Sequence, residues 1–155
     1  MPKHVLAKLE AEHKALKQAL LVDIPKEIAA AASQGDLSEN AEYEQALAKR
    51  DMFQGKLVAL EKRITEIASL DVTKLPEDTI AYGSVVTVYD LDTKKESTYR
   101  LVLPEELCDD PALLSISSPI GNALVGLGEG EDVKIKIPAG VKRLEIVSIA
   151  TIHQQ

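Results

Sequence analysis

The stretch SQGDLSENAEYEQ, Ser33 to Gln45, decides how the first half of this chain folds. It lies between two long segments rich in Ala, Leu, Lys and Glu, a composition that favours helix. Gly35 supplies the permissive backbone with which helices commonly end. Two long helices joined by so short a turn run antiparallel. The stretch therefore predicts a helical hairpin that ends in an acidic turn.

The two helical segments differ in their interruptions. The first covers residues 5–32, and Pro25 interrupts it, while Asp23 stands where it could cap a restart. This predicts one long helix kinked at the proline, or two stacked pieces. The second segment covers residues 36–70 and contains no proline. At ~1.5 Å per residue, about 30 residues make a rod of roughly 45 Å.

One face of the second segment has the alternating four-three spacing of a coiled coil. Towards the turn, the same spacing leads from apolar side chains to polar and then acidic ones. The apolar positions are Phe53, Leu57, Leu60, Ile64 and Ile67, and the continuation is Arg50, Ala46, Tyr43, Glu39 and Asp36. The predicted rod is therefore apolar at its base and acidic at its end.

After residue 75 the pattern changes to alternation, so we expect a hairpin domain over 1–75 and a second domain over 76–155. GSVVTVYDL and ESTYRLVL predict two strands around DTKK, and LLSIS, DVKIKI and VKRLEIVSI predict three more. SSPIGNALVG predicts one short helix, with Ser118 as cap and Pro119 in the first turn. The expected class is α+β: a helical hairpin followed by a small antiparallel sheet with a helix.

Charge and composition limit the function classes. The net charge of the 155 residues is −7, and the deficit lies mostly in residues 76–155, with 7 Lys and Arg against 13 Asp and Glu. Neither half has the clustered basic face of a free-standing nucleic-acid binder, so a large protein partner is the easier inference. No segment has the apolar run of a signal peptide or a membrane span. We therefore expect a cytoplasmic protein that does not contact membranes.

The acidic turn has two interpretations. Asp36 and Glu39 have the spacing of a capping box, in which Asp36 caps the second helix and Glu39 bonds back to it. The same spacing places two carboxylates about 5–6 Å apart on one helix face. Such a pair suits a hard cation such as Mg²⁺. Because two carboxylates do not fill an octahedral shell, the remaining ligands would come from a partner.

These residues resemble a known family, the bacterial transcript cleavage factors GreA and GreB. GDLSENAEYEQA resembles the tip of the family's helical hairpin, and VDIPKEIAAAASQGDLSENAEY resembles its first helix and tip. VTVYDLDTKKESTYRLV and SSPIGNALVG resemble parts of its C-terminal domain. The resemblance covers essentially the whole chain.

The resemblance implies a transcription elongation factor that is not itself an enzyme. The hairpin would enter the secondary channel of RNA polymerase, and an FKBP-like second domain would dock at the channel rim. Asp36 and Glu39 would be the catalytic and metal-binding residues, sharing Mg²⁺ with the polymerase active site. The polymerase would then cut the 3′ end of backtracked RNA and so rescue arrested complexes. The factor would be a monomer that holds no metal stably alone and meets nascent RNA and DNA only within the elongation complex.

The resemblance also assigns further contacts. Asn40, Tyr43, Lys49 and Arg50 would lie near RNA or polymerase, and polymerase docking would use Ser118, Pro119 and Ile120. Better-studied members carry basic residues near the tip, where this chain has Ala32 and Leu47. This departure favours a GreA-like rather than a GreB-like activity.

Two other functions remain as alternatives at this point. Inhibitory paralogues in the family carry extra acids at the tip, and Glu42 and Glu44 keep open a factor that occupies the channel without stimulating cleavage. A prolyl isomerase in residues 76–155 is the alternative from the enzyme class. We do not expect it, because Tyr82, Tyr89 and Tyr99 are too few aromatic side chains to line its cavity.

Overall fold

The first half of the chain is helical, and the second half is mainly sheet. The computed structural model describes residues 2–33 and 40–155. Contacts divide the chain into two compact units, Met1–Leu70 and Asp71–Gln155. The helical elements of the first unit are α1 (Lys3–Gln18), a π turn (Ala19–Asp23), α2 (Ile24–Ala32) and α3 (Ala41–Ala68).

The helix passes through Pro25 by way of the π turn. Proline has no N–H to donate, so it cannot continue the ordinary ladder. Just before it, the N–H of Ile24 bonds to the carbonyl of Ala19, five residues back. Asp23 makes no side-chain capping bond. Asp23 therefore does not cap a restart. Helix α1, the π turn and α2 follow one another without a break, which agrees with one long helix and not with two separate pieces.

The π turn also keeps a carboxylate out of the helix interface. A π turn accommodates one extra residue within a helix. Half-buried Leu20 lies on the face towards α3, and the four-three spacing would next bring Asp23 to that face. The extra residue brings Ile24 there instead: Ile24 is 0% exposed, whereas Asp23 is exposed. The local distortion thus preserves an apolar interface.

Cross-helix contacts show that the two arms of the hairpin are antiparallel. His13 contacts Glu61, Glu27 contacts Lys49, and Ala31 contacts Asn40, so positions later in the first arm meet positions earlier in the second. Along α3, every described position of the predicted four-three face is buried or half-buried. These positions are Tyr43, Ala46, Arg50, Phe53, Leu57, Leu60, Ile64 and Ile67.

The second unit is a five-stranded sheet in the order β3-β2-β1-β5-β4. In β1, β4 and β5, alternate residues point into the core of the unit. The core is built around Ile80, Val86, Val88, Leu101, Leu124, Ile135, Leu144 and Ile146. The elements are β1 (Val85–Asp90), β2 (Lys95–Val102), β3 (Leu113–Ser115), α4 (Pro119–Leu124), β4 (Asp132–Ile137) and β5 (Gly140–Ala150).

One strand pair departs from the expected antiparallel sheet. β3 pairs with β2 in the parallel sense, while the other three pairs are antiparallel. A parallel pair needs a crossover connection, and residues 103–112, with a 3₁₀ turn at Pro104–Glu106, provide it. The α+β class is confirmed, with an antiparallel-rich sheet. The likeness to the FKBP fold stays a prediction.

Over residues 2–33 and 40–155, no helix has both the length and the apolar character that crossing a bilayer requires.

Candidate functional site

The candidate site is the turn between α2 and α3. Asp36 and Glu39, the predicted catalytic and metal-binding residues, lie outside the described residues, as does Gly35. Ser33 and Asn40 are described and flank this segment. Ser33 follows the last residue of α2, and its hydroxyl donates to the carbonyl of Ala30 at 2.7 Å.

Asn40 connects the two helices on either side of the turn. Its backbone is extended, with φ −85° and ψ 97°, and its side-chain oxygen accepts from the N–H of Tyr43 at 3.1 Å. Its side-chain amide donates to the carbonyl of Ala31 at 2.6 Å. The half-buried Asn40 side chain therefore caps the start of α3 and bonds the end of α2.

This capping corrects one interpretation of the acidic turn. The second helix was expected to begin near Asp36 and to be capped by it. It begins instead at Ala41, and Asn40 is its N-cap. Asn and Asp are about equally good caps, so the sequence pattern alone did not separate them. The N-cap of α3 is therefore Asn40 and not Asp36, while Asp36 and Glu39 themselves lie outside the described residues.

The first turn of α3 keeps the acidic character of the stretch. Glu42 and Glu44 are exposed there, where carboxylates interact favourably with the positive end of the helix dipole. Tyr43 is half-buried on the helix interface. The structure thus places Tyr43 in packing between the helices and leaves Glu42 and Glu44 facing solvent.

The two cations after the turn have partners within the chain. The ammonium of Lys49 lies 3.0 Å and 3.3 Å from the two carboxylate oxygens of Glu27 on α2. It also lies 5.6 Å from the ring centre of Phe53. Arg50 is 3.5 Å from the carboxylate of its neighbour Asp51. Exposed ion pairs contribute only about 0.2–1 kcal/mol, so these pairs compensate the charge without locking the side chains.

The predicted docking residues lie at the start of α4. The hydroxyl of Ser118 accepts from the N–H of Gly121 at 3.0 Å and donates to the carbonyl of Ser115 at 2.7 Å. Pro119 is the first residue of the helix, as expected. Ile120 is half-buried and packs against the core of its own unit.

The exposed face of α4 differs from the predicted docking set. Pro119 and Asn122 are exposed within α4, and Val125, the residue that follows the helix at the same three-residue spacing, is 43% exposed. Side chains three apart lie on one face of a helix. Sequence reasoning missed Asn122 and Val125, although the three-residue spacing from Pro119 was the signal that could have found them.

The described part of the chain does not contain a complete metal site. Within residues 2–33 and 40–155, no group of three or more His, Cys, Asp or Glu side chains could hold a metal ion. Hard divalent ions take six or more oxygen ligands.

Both units match family models. A model described as "Transcription elongation factor, N-terminal" matches residues 1–68, and one described as "Transcription elongation factor, GreA/GreB, C-term" matches residues 75–151. Thermus aquaticus Gfh1 is a similar solved structure, with TM-score 0.43 and 25% identity, over 96% of this chain and 92% of that chain.

Curated relatives match this chain over nearly its whole length. "Transcription elongation factor GreA" of Ruegeria pomeroyi is 43% identical over 92% of this chain and 91% of its own. The protein of the same name from Hyphomonas neptunium is 36% identical over the same shares. That of an Anaeromyxobacter species is 37% identical over 100% of this chain and 93% of its own. This chain belongs to the GreA/GreB family of transcription elongation factors.

Proposed function

We propose that this chain is a transcript cleavage factor: it assists RNA polymerase in cutting the 3′ end of backtracked RNA, and the polymerase remains the enzyme. The match of both units to the family, with relatives named GreA over nine-tenths of the chain, is the observation that carries this proposal. The antiparallel hairpin supports it, because a slender pair of helices is suited to reach into a channel that a globular domain could not enter.

The turn of the hairpin is the proposed working end. In this proposal it passes through the secondary channel of the polymerase and brings Asp36 and Glu39 to the active centre. The cap of α3 supports this role, since Asn40 caps the helix and Asp36 is not needed for it. The acidic first turn of α3, with exposed Glu42 and Glu44, agrees with a tip whose chemistry depends on carboxylates.

Magnesium is the metal that this donor set fits. Carboxylate oxygens are the ligands that Mg²⁺ prefers, and Mg²⁺ is usually bound through one or two carboxylates with the other positions filled by water or phosphate. Asp36 and Glu39 would hold it jointly with polymerase groups, and it would supply Lewis-acid activation of a water. The rest of the chain would deliver and orient these two carboxylates.

The cations near the turn have acidic partners, and this supports the proposal that the released RNA fragments are short. Lys49 is paired with Glu27, and Arg50 has Asp51 beside it, so little uncompensated positive charge is available to retain a long RNA fragment. Nascent RNA and DNA would be met only within the elongation complex. This supports a GreA-like activity, exerted by a monomer in the cytoplasm, where bacterial polymerase works.

Docking on the polymerase is proposed for the second unit. Ser118 and Pro119 set the start of α4. The part free to contact a partner consists of Pro119 and Asn122 on the helix and Val125 directly after it, which together are called the exposed face of α4. Ile120 would support this face from the core side. The proposed docking surface is therefore this exposed face of α4.

Stalled elongation complexes with labelled RNA provide the test. Added protein should shorten the transcripts and release short 3′ fragments, and the shortened transcripts should then resume elongation. Transcripts of unchanged length, with slower synthesis, would contradict the proposal and indicate an inhibitor of the channel. Polymerase without added protein gives the background rate of cleavage.

A further inference from the structure

Asn40 makes two hydrogen bonds that together close the turn. It bonds the N–H of Tyr43 at the start of α3 and the carbonyl of Ala31 at the end of α2. We propose that Asn40 is a positioning residue for cleavage: it fixes the two ends of the segment that carries Asp36 and Glu39. This inference rests on the proposed function, and it assigns to Asn40 a role in place of the predicted contact with RNA or polymerase.

The side-chain chemistry supports a role beyond capping. An N-cap needs only an acceptor, which Asp and Ser supply as well as Asn does. The bond to Ala31 needs a donor on the same short side chain. Ionised Asp only accepts, and Ser must use one hydroxyl for both bonds, as Ser118 does, whereas Asn has a carbonyl oxygen and an NH₂ group. The second bond therefore excludes Asp, and among these three caps only Asn presents acceptor and donor on separate atoms.

The burial of Ala31 makes the second bond important. Ala31 is 4% exposed and belongs to the last turn of α2, where carbonyls depend on donors from outside the helix. A buried acceptor left without a donor is destabilising. The Asn40 amide satisfies this carbonyl from the other helix, so the two helix ends are held at a fixed separation.

Fixed helix ends matter because the chemistry requires accurate placement. Catalytic groups need to be held within about 0.5 Å of the productive geometry, and a 1 Å misplacement can reduce a rate by about a hundredfold. Only six residues, 34–39, connect Ser33 to Asn40. Asn40 therefore sets the spacing of the two helix ends to which this short segment is joined.

Asn40→Asp and Asn40→Ser separate the two bonds. Both keep a capping acceptor for Tyr43, and both lose the amide that donates to Ala31. We expect the melting temperature to fall modestly, because the buried carbonyl of Ala31 loses a donor. Affinity for core polymerase should stay within about twofold, because the docking face of α4 is untouched. The cleavage rate at saturating factor should fall by roughly tenfold to a hundredfold. The Mg²⁺ concentration for half-maximal cleavage should rise, because misplaced carboxylates hold the ion less well.

Glu61→Ala is the matched control. It removes another bond between the arms of the hairpin, the 2.9 Å contact with His13, far along α3 from the turn. Cleavage and the Mg²⁺ requirement should stay as in wild type. Wild-type cleavage with an unchanged Mg²⁺ requirement in both Asn40 variants would overturn the proposal. A loss of polymerase affinity as large as the loss of cleavage, with a wild-type cleavage rate at saturating factor, would also overturn it, because it indicates a general structural role.

Hydrogen exchange of the free protein tests whether Asn40 closes the turn, and this test does not depend on the proposed function. The peptide covering residues 32–43 should exchange faster in Asn40→Asp and Asn40→Ser than in wild type, and Glu61→Ala should leave it unchanged. Unchanged exchange in both Asn40 variants would contradict the closure of the turn by Asn40. Wild-type protein that leaves transcripts uncut would instead contradict the proposed function, and exchange alone would then decide whether Asn40 closes the turn.

Discussion

Asn40 and Ser118 show how single polar side chains define the two candidate surfaces. Each accepts an N–H bond from the residue three positions later and so sets the start of a helix. Each also donates to a carbonyl outside that helix, Ala31 for Asn40 and Ser115 for Ser118. A cap with a second bond fixes where the helix begins and also what it lies against.

Asp36 is the first residue to test, because its carboxylate is the proposed ligand of the metal. Because Asn40 caps α3, Asp36→Asn and Glu39→Gln leave that cap intact, and both are nearly isosteric. Neutral amides are weaker ligands for a hard cation, so cleavage should fall by roughly a hundredfold, the scale of losing one electrostatic contact at an active centre. Melting temperature and polymerase affinity should barely change. Gel analysis of stalled complexes measures this, and wild-type cleavage by Asp36→Asn would remove Asp36 from the catalytic assignment.

The ionisation of Tyr82 makes the stability of the second unit depend on pH. Burial raises the pKa of Tyr82 to about 12, and its hydrogen bond to Glu106 acts in the same direction. The folded state thus holds the phenol proton more tightly than the unfolded state, where the pKa is about 10. This contribution to stability is complete below pH 10 and is lost as the pH rises from 10 to 12.

Tyr82→Phe removes this ionisation. In the variant, the free energy of unfolding should fall less steeply between pH 10 and pH 12 than in wild type, as measured by denaturant titration at each pH. Tyr89→Phe, on β1, is the control for other groups that titrate in this range. Equal slopes for wild type and Tyr82→Phe would contradict the assignment.

At the scale of elements, helix α4 depends on a close approach to Ser115, the last residue of β3. A Cβ placed on Gly121 would overlap the backbone carbonyl oxygen of Ser115. This oxygen also accepts from Ser118, so it cannot move without breaking the cap. Gly121 therefore lets the helix lie where its exposed face is presented.

Gly121→Ala should destabilise the second unit by about 1–3 kcal/mol, the usual range for overpacking. Gly55→Ala is the contrast, because it lies inside α3 with open space around its Cβ position. There, alanine should stabilise the helix by roughly 0.5–1 kcal/mol. Thermal or denaturant unfolding measures both. A neutral Gly121→Ala would show that α4 can shift away from Ser115.

At the scale of the whole molecule, the proposal assigns binding to one unit and chemistry to the other. The two roles predict different kinetic signatures. A change in the docking surface should raise the concentration of factor that gives half-maximal cleavage. A change at the turn should lower the cleavage rate reached at saturation.

Val125→Asp tests whether the second unit provides the binding to polymerase. A carboxylate on the exposed face of α4 should weaken polymerase affinity about tenfold or more, a typical effect at a central interface position. Cleavage at saturating factor should remain near wild type. Val141→Asp, on β5, is the matched control, since Val141 is 53% exposed and lies outside α4. Equal affinity for Val125→Asp and wild type would remove this face from the docking surface.

Local signals in the sequence were enough to predict much of this fold. The four-three face of α3, the alternation of the strands and the Ser118 cap were all predicted, because each depends on neighbours within a few residues. The family followed from the same short motifs, with GDLSENAEY at the turn and SSPIG before α4. The catalytic assignment of Asp36 and Glu39 stays a prediction from that resemblance.

Other features were decided only by the tertiary structure, because they depend on residues distant in sequence. Packing against α3 selects Ile24 over Asp23 for the interface and so favours a π turn at Pro25. The buried carbonyl of Ala31 gives Asn40 its second bond. The crossover after β2 makes the β3 pairing parallel. Periodicity and caps are local, whereas the partner of a buried group is set by whichever segment the fold brings beside it.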